Sequence, residues 1–472
     1  MTSAVLSAAT KGGGLSMNNE NKNNDMESIG VILLGRKRPG FDQEWNKTIT
    51  VKCLATLKLL GFSSVGGEYA VVDDATINKV LDQIERAGCS ALLLLQPSIA
   101  HGQLAFTIMQ RWSGPVLLWA TPERPGDGKV SSCSLVGQHL WASTFAQAGY
   151  PFELIYADPE NKSFHSDLVR AIYLVSAYRH LSKAKVGVVG TYVPGFVDLA
   201  ADPFLAQRVL GMQLHALSLP QYIERVQSIE SKAVEQDVQK VLALNLPTNN
   251  VSMKELSLNS RFYLAMKELF VEEHLDALAI QCWPEIPSLL DEWPYLAISR
   301  LSTEGHAVSI EGDVDGAIQI YMNSHLGLGP SFLTDWLEHD ETSIYFWHPG
   351  MAPMNMCNPI ESSQGPTLGR HFNLAKPCVV NGVIRVHEHV TIVRLWKFKD
   401  SYRMTAFEGK TIKEKRNLSG NTALVEVLGE PLPQRFDRLL HAGMPHHVSL
   451  VFGHHAEIYR RLSRLLSIEW CA

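Results

Sequence analysis

Ile29-Gly30-Val31-Ile32-Leu33-Leu34 is a short apolar run that stops at Gly35 and the turn-like Arg36-Lys37-Arg38-Pro39-Gly40. Six residues without polar alternation, bounded by glycine and proline, fit a parallel strand buried on both faces. Residues 48–60 then carry apolar positions at helical spacing, Ala70–Val72 is a second short run, and Ala75–Ala87 (ATINKVLDQIERA) reads as an amphipathic helix. Ala91–Leu95 (ALLLL) is a third strand, followed by a helix near Leu104–Arg111 and a fourth strand at Pro115–Ala120. Short strands alternating with helices predict a parallel sheet covered on both faces.

The pattern restarts at Ala184–Gly190 (AKVGVVG), with TYVPGF as its turn. Helices follow over 228–244 and 259–272, and Leu275–Gln281 is a buried strand ending at Cys282-Trp283-Pro284-Glu285. Beyond about residue 342 the period changes. Cys378–Val380, Val383–Leu395, Tyr402–Lys410 and Thr422–Leu428 alternate or carry β-branched residues, and only Ala456–Leu466 reads as helix. Asn381-Gly382 predicts a hairpin turn between the first two of these strands. The expected fold class is α/β: two consecutive doubly wound parallel-sheet (Rossmann-like) domains over 28–175 and 176–342, then an antiparallel β-barrel-like domain with a final helix over 343–472. Residues 1–27 are polar and low in complexity and read as a disordered leader.

A chain of 472 residues has room for about three domains of ~150 residues. Its 46% hydrophobic and 19% charged residues are those of a globular protein, and a net charge of −6 draws it toward neither nucleic acid nor anionic lipid. The seven cysteines are odd in number, scattered and without a CxxC, so they read as reduced, mostly buried thiols. No apolar run approaches the ~18 residues of a membrane span, and the leader lacks the basic and apolar regions of a signal peptide. A cytoplasmic protein is expected.

Four places hold acids or imidazoles that solvation alone does not explain. In Ser309-Ile310-Glu311-Gly312-Asp313-Val314-Asp315, the two aspartates suit a helix N-terminus, but Glu is a poor cap. Asp335 follows 24 residues after Glu311, between apolar neighbours in Phe332-Leu333-Thr334-Asp335-Trp336. His348 closes the aromatic run Tyr345-Phe346-Trp347 before Pro349-Gly350, and His446-His447 open the apolar run Val448-Ser449-Leu450. Each place alone has a structural reading. Together they form a carboxylate–carboxylate–imidazole–imidazole set suited to Mn²⁺ or a similar divalent ion. His387 and His389 share a strand face and could chelate, but a solvated face explains them as well, and His454-His455 have the bland reading of a helix start. GxGxxG, GxxxxGK[ST], GxSxG and HExxH are all missing from the sequence, which weakens dinucleotide, kinase, serine-hydrolase and zincin readings.

In this order, EGD, an apolar-flanked acid, a histidine motif and a late AGMPHH, the sequence resembles the L-fucose and L-arabinose isomerase superfamily. The likeness is strongest from about Leu275 onward, at AISRLSTEGHAVSIEGD and LLHAGMPHHVSLVFGHHAE. The resemblance implies a metal-dependent aldose–ketose isomerase with Glu311, Asp335, His348 and His447 as ligands, the two acids falling before residue 342. It implies that Glu311 and Asp335 share proton transfer, and that His446 touches substrate or supports the ligands. It places Ser134-Leu135-Val136-Gly137-Gln138-His139, read as a polar loop, near the site with Gln138 and His139 as substrate contacts, and implies a homo-oligomer, a hexamer, with the site near a subunit interface. Asp as second acid is more like the fucose enzymes, and FWHPG departs from the arabinose pattern; both point to a sugar other than arabinose.

The expected substrate is a small sugar resembling L-fucose, L-arabinose or a 6-deoxy or 6-sulfo hexose such as sulfoquinovose. A metal-dependent sugar epimerase or lyase, and a non-catalytic sugar-binding protein, remain alternatives. Trp112, Trp119, Trp283 and Trp347 are candidate sugar-stacking residues, with core packing the competing use for at least two, and Trp347 is a candidate substrate contact. Arg36, Lys37 and Arg38 could meet an anionic substituent, or line a solvated turn.

Overall fold

The computed structural model describes residues 27–472 apart from 38–39, 127, 249 and 415–417, so the expected leader lies, but for Glu27, outside the described residues. The chain divides into two compact units, one ending at His180 and one beginning at Leu181.

The N-terminal unit is a five-stranded parallel sheet of β1 (Glu27–Leu33), β2 (Phe62–Gly66), β3 (Ala91–Gln96), β4 (Val116–Ala120) and β5 (Phe152–Tyr156), in the order β2-β1-β3-β4-β5. Every residue of β3 and β4 is buried, as the unalternated runs require. The helix Asp74–Arg86 starts in a capping box of Asp73 and Thr76. It packs so closely that a Cβ on Gly30 would lie 2.6 Å from the Ile84 side chain. Trp112 and Trp119 are 2% and 0% exposed, which makes them core residues rather than sugar platforms.

Residues 134–139 correct the sequence reading. They are no loop but the opening of the helix Ser134–Gln147. The Glu123 carboxylate accepts from the Ser131, Ser132 and Cys133 backbone N–H groups and closes the preceding turn. Gly137 hides the helix from propensity rules, yet it is needed where the helix meets Ile99: a Cβ there would stand 3.1 Å from the Ile99 Cα.

The second unit begins with a four-stranded parallel sheet of β6 (Lys185–Val189), β7 (Gln213–Leu217), β8 (Ala277–Ile280) and β9 (Ala307–Ser309), in the order β7-β6-β8-β9. The helix read over 228–244 is Ser231–Ala243, and a separate helix, Leu219–Ser228, precedes it across Ile229-Glu230. A closed barrel follows. Its six antiparallel strands are β10 (Ser331–His339), β11 (Ser343–His348), β14 (His389–Phe398), β15 (Ser401–Ile412), β16 (Asn421–Val427) and β17 (His447–Phe452), paired in the ring β10-β11-β16-β15-β14-β17, with the short strands β12 (Thr367–Gly369) and β13 (Val379–Val383) falling between β11 and β14 in the chain. The fold is therefore the expected one: two parallel-sheet α/β layers in series, then an antiparallel barrel.

Two local readings fail. The barrel starts at Ser331, so residue 342 falls inside its first hairpin and Asp335 is a barrel residue. Asn381-Gly382 makes no hairpin but lies within the strand Val379–Val383. There Asn381 accepts the Gly420 N–H at 2.6 Å, so its side chain serves a neighbouring segment instead of a local turn.

One buried acid in this unit is a stability determinant. Glu292 is 2% exposed; burial pushes its carboxyl up to about 8 against opposing hydrogen bonds with Asn259 and Cys378. An unfolded Glu titrates near ~4.3, so between that pH and about 8 the native state holds the extra proton and stability falls as pH rises. Glu292→Gln should flatten that decline, gaining a few kcal/mol at pH 8.5 relative to pH 5 compared with the unmutated chain. Urea unfolding at the two pH values measures it, and parallel declines in both proteins would refute it.

Candidate active site

β9 delivers the chain into a tight reversal at Glu311-Gly312, where both residues have positive φ, 60° and 69°. Glycine is required at the second: a Cβ on Gly312 would lie 2.1 Å from the Thr191 carbonyl oxygen. For Glu311 the left-handed conformation costs roughly 1–3 kcal/mol, and the surroundings must hold it. They do so through Glu311 O, which accepts from Val193 N–H at 3.1 Å, and Glu311 N–H, directed at the buried Cys282 sulfur. Asp313 then caps the helix Val314–His325 by accepting the Gly316 N–H at 2.8 Å, the role its position predicts.

Asp313 does more than cap. Arg394 of β14 donates to both its oxygens at 2.7 and 2.9 Å, and Oδ2 also lies 2.9 Å from His447 Nδ1. Arg394, Asp313 and His447 are all fully buried. The antiparallel register of β10 and β17 sets Asp335 directly opposite His447. His447 Nε2 consequently stands 3.3 Å from Glu311 Oε2 and 3.5 Å from Asp335 Oδ1. His446 Nε2 is 3.9 Å from Glu311 Oε2, and Trp283 donates its indole N–H to Glu311 Oε1 at 2.8 Å. His348, at the end of β11, is buried with its ring centroid 6.0 Å from that of His447.

These groups bias each other's charge. Burial would lower the His447 imidazole, but its hydrogen bond to Asp313 and the nearby Glu311 carboxylate outweigh it and push it up to about 10. Burial would raise the Glu311 carboxyl, yet the His446 and His447 imidazoles facing it hold it far below the usual carboxylate range. His348 is lowered, burial prevailing over the attraction of Asp335 and Glu311. Glu311, Asp313 and Asp335 outnumber the Arg394 guanidinium and the His447 imidazole that they face, so the pocket calls for more positive charge. Three ring nitrogens, His348 Nδ1, His446 Nε2 and His447 Nε2, are buried there without a hydrogen bond. Native structures seldom leave such atoms unmatched. Ligand atoms of Glu311, His446 and His447 lie within 4.8 Å of one another. Carboxylate and imidazole donors so placed fit a divalent ion, with Asp335 next to them.

Of the expected residues, Glu311, Asp335, His348, His446 and His447 come together. Trp347 faces Asp335 across the β10–β11 pair, but its indole N–H is given to Ser419 O at 2.7 Å. Gln138 and His139 belong to the N-terminal unit. Gln138 spends its amide nitrogen on the carbonyls of Leu118 and Ile155 at 2.9 and 2.8 Å, whereas His139 is exposed. Arg38 lies outside the described residues, and Lys37 pairs with Asp73 at 3.1 Å. His389 meets His454, 3.2 Å between Nδ1 and Nε2, in place of a pairing with His387. Three contributors escaped the sequence reading. Arg394 left a signal, a charge inside the apolar strand Ile392-Val393-Arg394-Leu395, while Asp198 and Phe196 left none.

Similarity to curated proteins indicates an aldose–ketose isomerase, and the likeness to the L-fucose and L-arabinose isomerase superfamily holds. The chain is 27% identical over 451 residues to a sulfoquinovose isomerase of Priestia aryabhattai, covering 94% of this chain and 99% of that one. It is 24% identical over 386 residues to the sulfoquinovose isomerase of Alkalicoccus urumqiensis, covering 80% and 85%. It is 22% identical over 199 residues to the L-arabinose isomerase of Thermotoga sp. strain RQ2, covering 41% and 40%. No protein-family model matches the chain.

Removing Asp313 should strand Arg394 as a buried unpaired cation. Asp313→Ala is expected to cost about 3–5 kcal/mol of stability, read by chemical denaturation in EDTA. A loss below ~1 kcal/mol would show that the network does not carry this part of the fold.

Proposed function

We propose that this protein is a divalent-metal-dependent aldose–ketose isomerase in carbohydrate catabolism, acting through a cis-enediolate on a 6-sulfo hexose of the sulfoquinovose type. The observation that carries the metal-dependent part is the buried set of acids and imidazoles with three ring nitrogens lacking hydrogen bonds. The substrate class rests on the sulfoquinovose isomerases matched over most of the chain. Glu311, Asp335, His348 and His447 are the proposed ligands, and Mn²⁺ the proposed ion. When bound, the ion supplies Lewis-acid charge for the negative oxygen that develops on the sugar.

Glu311 and Asp335 divide the proton transfers. One carboxylate removes the C2 proton of the aldose while O1 gains a proton, giving the cis-enediol. A proton is then delivered to C1 and the O2 proton is lost, leaving the 2-ketose. Glu311 is the acid whose geometry is fixed for this: Trp283 holds one of its oxygens, leaving Oε2 toward the imidazoles. Asp335, with its side chain 27% exposed, is the acid with access to incoming sugar.

Assembly and location complete the reading. The superfamily likeness supports a homo-oligomer, a hexamer, in which His139 and Gln138 approach a neighbouring chain's site, and His139 is the better placed for this because Gln138 is engaged by its own sheet. Free cysteines, and among the described residues no helix long and apolar enough to cross a membrane, are in keeping with a cytoplasmic enzyme.

Three measurements test the proposal. Chelation should abolish turnover of sulfoquinovose and Mn²⁺ should restore it; undiminished activity in excess EDTA would refute metal dependence. Glu311→Gln should lose at least about 10²–10⁴-fold in kcat while staying folded, since general-base catalysis contributes that much. Near-normal turnover in that variant would mean the site is misplaced. A sugar panel decides the substrate: faster turnover of glucose, L-fucose or L-arabinose than of sulfoquinovose would overturn the sulfonated-sugar assignment.

A further inference from the structure

The segment leaving β6, Thr191-Tyr192-Val193-Pro194-Gly195-Phe196-Val197-Asp198, reads in sequence as a turn, but it forms one wall of the site. Val193 holds the Glu311 carbonyl, and Gly312 packs on the Thr191 carbonyl. The Phe196 ring meets Trp283 and His446 edge-on, at 5.6 and 4.9 Å between centroids. Asp198 Oδ2 lies 2.6 Å from His446 Nδ1 and accepts the His446 backbone N–H at 3.3 Å.

A ring nitrogen that close to a carboxylate carries the proton, so the neutral His446 ring has its lone pair on Nε2. That atom is buried, makes no hydrogen bond and stands 3.9 Å from Glu311 Oε2. Two electron-rich atoms facing each other in a buried pocket require a cation or a proton between them. The other imidazole of the pair repeats the design, Asp313 engaging His447 Nδ1 while His447 Nε2 faces Glu311. Each histidine has one carboxylate behind it and Glu311 in front.

We propose that Asp198 is a positioning residue for the divalent ion: by holding the His446 Nδ1–H it directs the Nε2 lone pair into the site as a ligand beside Glu311 and His447. This rests on the metal-dependent reading above and assigns to His446 a contact with the ion in place of one with the sugar.

The test is Mn²⁺ affinity of the full-length protein without sugar, by electron paramagnetic resonance titration. Asp198→Asn should weaken binding about 10–100-fold, the usual effect of removing a carboxylate behind a ligating histidine. His446→Ala should weaken it at least as much, and Asp198→Glu should recover part of the loss. Asp198 has a side chain 42% exposed, so thermal unfolding in EDTA should be unchanged in its variants. Wild-type Mn²⁺ affinity in Asp198→Asn would overturn the proposal. So would a raised KM for sugar with unaltered Mn²⁺ affinity, which would put His446 on the substrate. A wild-type chain that bound no Mn²⁺ would instead overturn the metal-dependent reading itself, and this assignment with it.

Discussion

The fully buried Asp313 carboxylate, held by the Arg394 guanidinium on one side and the His447 imidazole on the other, is the contact on which the rest of the site depends. It ties the helix that follows the second parallel sheet to two strands of the barrel. Burying these charges costs several kcal/mol each in desolvation, and the two N–H···O bonds from the Arg394 fork, at 2.7 and 2.9 Å, work against that cost. The same carboxylate caps its own helix, so a single side chain orients the helix, the barrel and the imidazole. Without it, His447 has no reason to present Nε2 to Glu311.

The second constraint is conformational. Glu311 occupies a left-handed backbone well that disfavours it, and Gly312 follows in the same region with no room for a side chain. This sharp reversal places the carboxylate at the end of a parallel strand, where α/β folds collect their ligands. Its position relative to Asp335 is then set by the sheet, since the β10–β17 register decides which acid lies opposite His447. A slip of one residue would turn Asp335 to the other face. Chemistry across a C1–C2 pair needs two carboxylates in fixed relation, and a turn and a ladder hydrogen-bond pattern provide it.

Electrostatics explains why the cluster has to be buried. Three acids and three imidazoles in water would be screened and weakly coupled; out of water they drive His447 up, Glu311 down and His348 down. The pocket is thus polarised before any ligand arrives, with Glu311 and Asp313 ionised and ring nitrogens aimed inward. Such preorganisation is what stabilisation of a developing enediolate demands.

The layer order and the kinds of residue at the site were legible in the sequence. Unbroken apolar runs such as Ala91–Leu95 can only be strands buried on both faces, and Glu311, Asp335, His348 and His447 stood out as acids and imidazoles in apolar company. Local pattern failed where a distant partner outweighed it. Asn381-Gly382 has turn propensity, but Asn381 is recruited by the Gly420 N–H and the pair stays in a strand. Gly137 looked like a loop residue because the helix it belongs to must pass close to Ile99. Asp198 could not be found at all, since it meets His446 across 248 residues and nothing in TYVPGFVD marks an acid with a partner. Periodicity is a property of neighbours in the chain, so the sequence by itself determined the elements and the chemical vocabulary of the site. Register, burial and the pairing of charges arise between elements far apart in the chain, and only the tertiary structure decided which acid stands behind which imidazole.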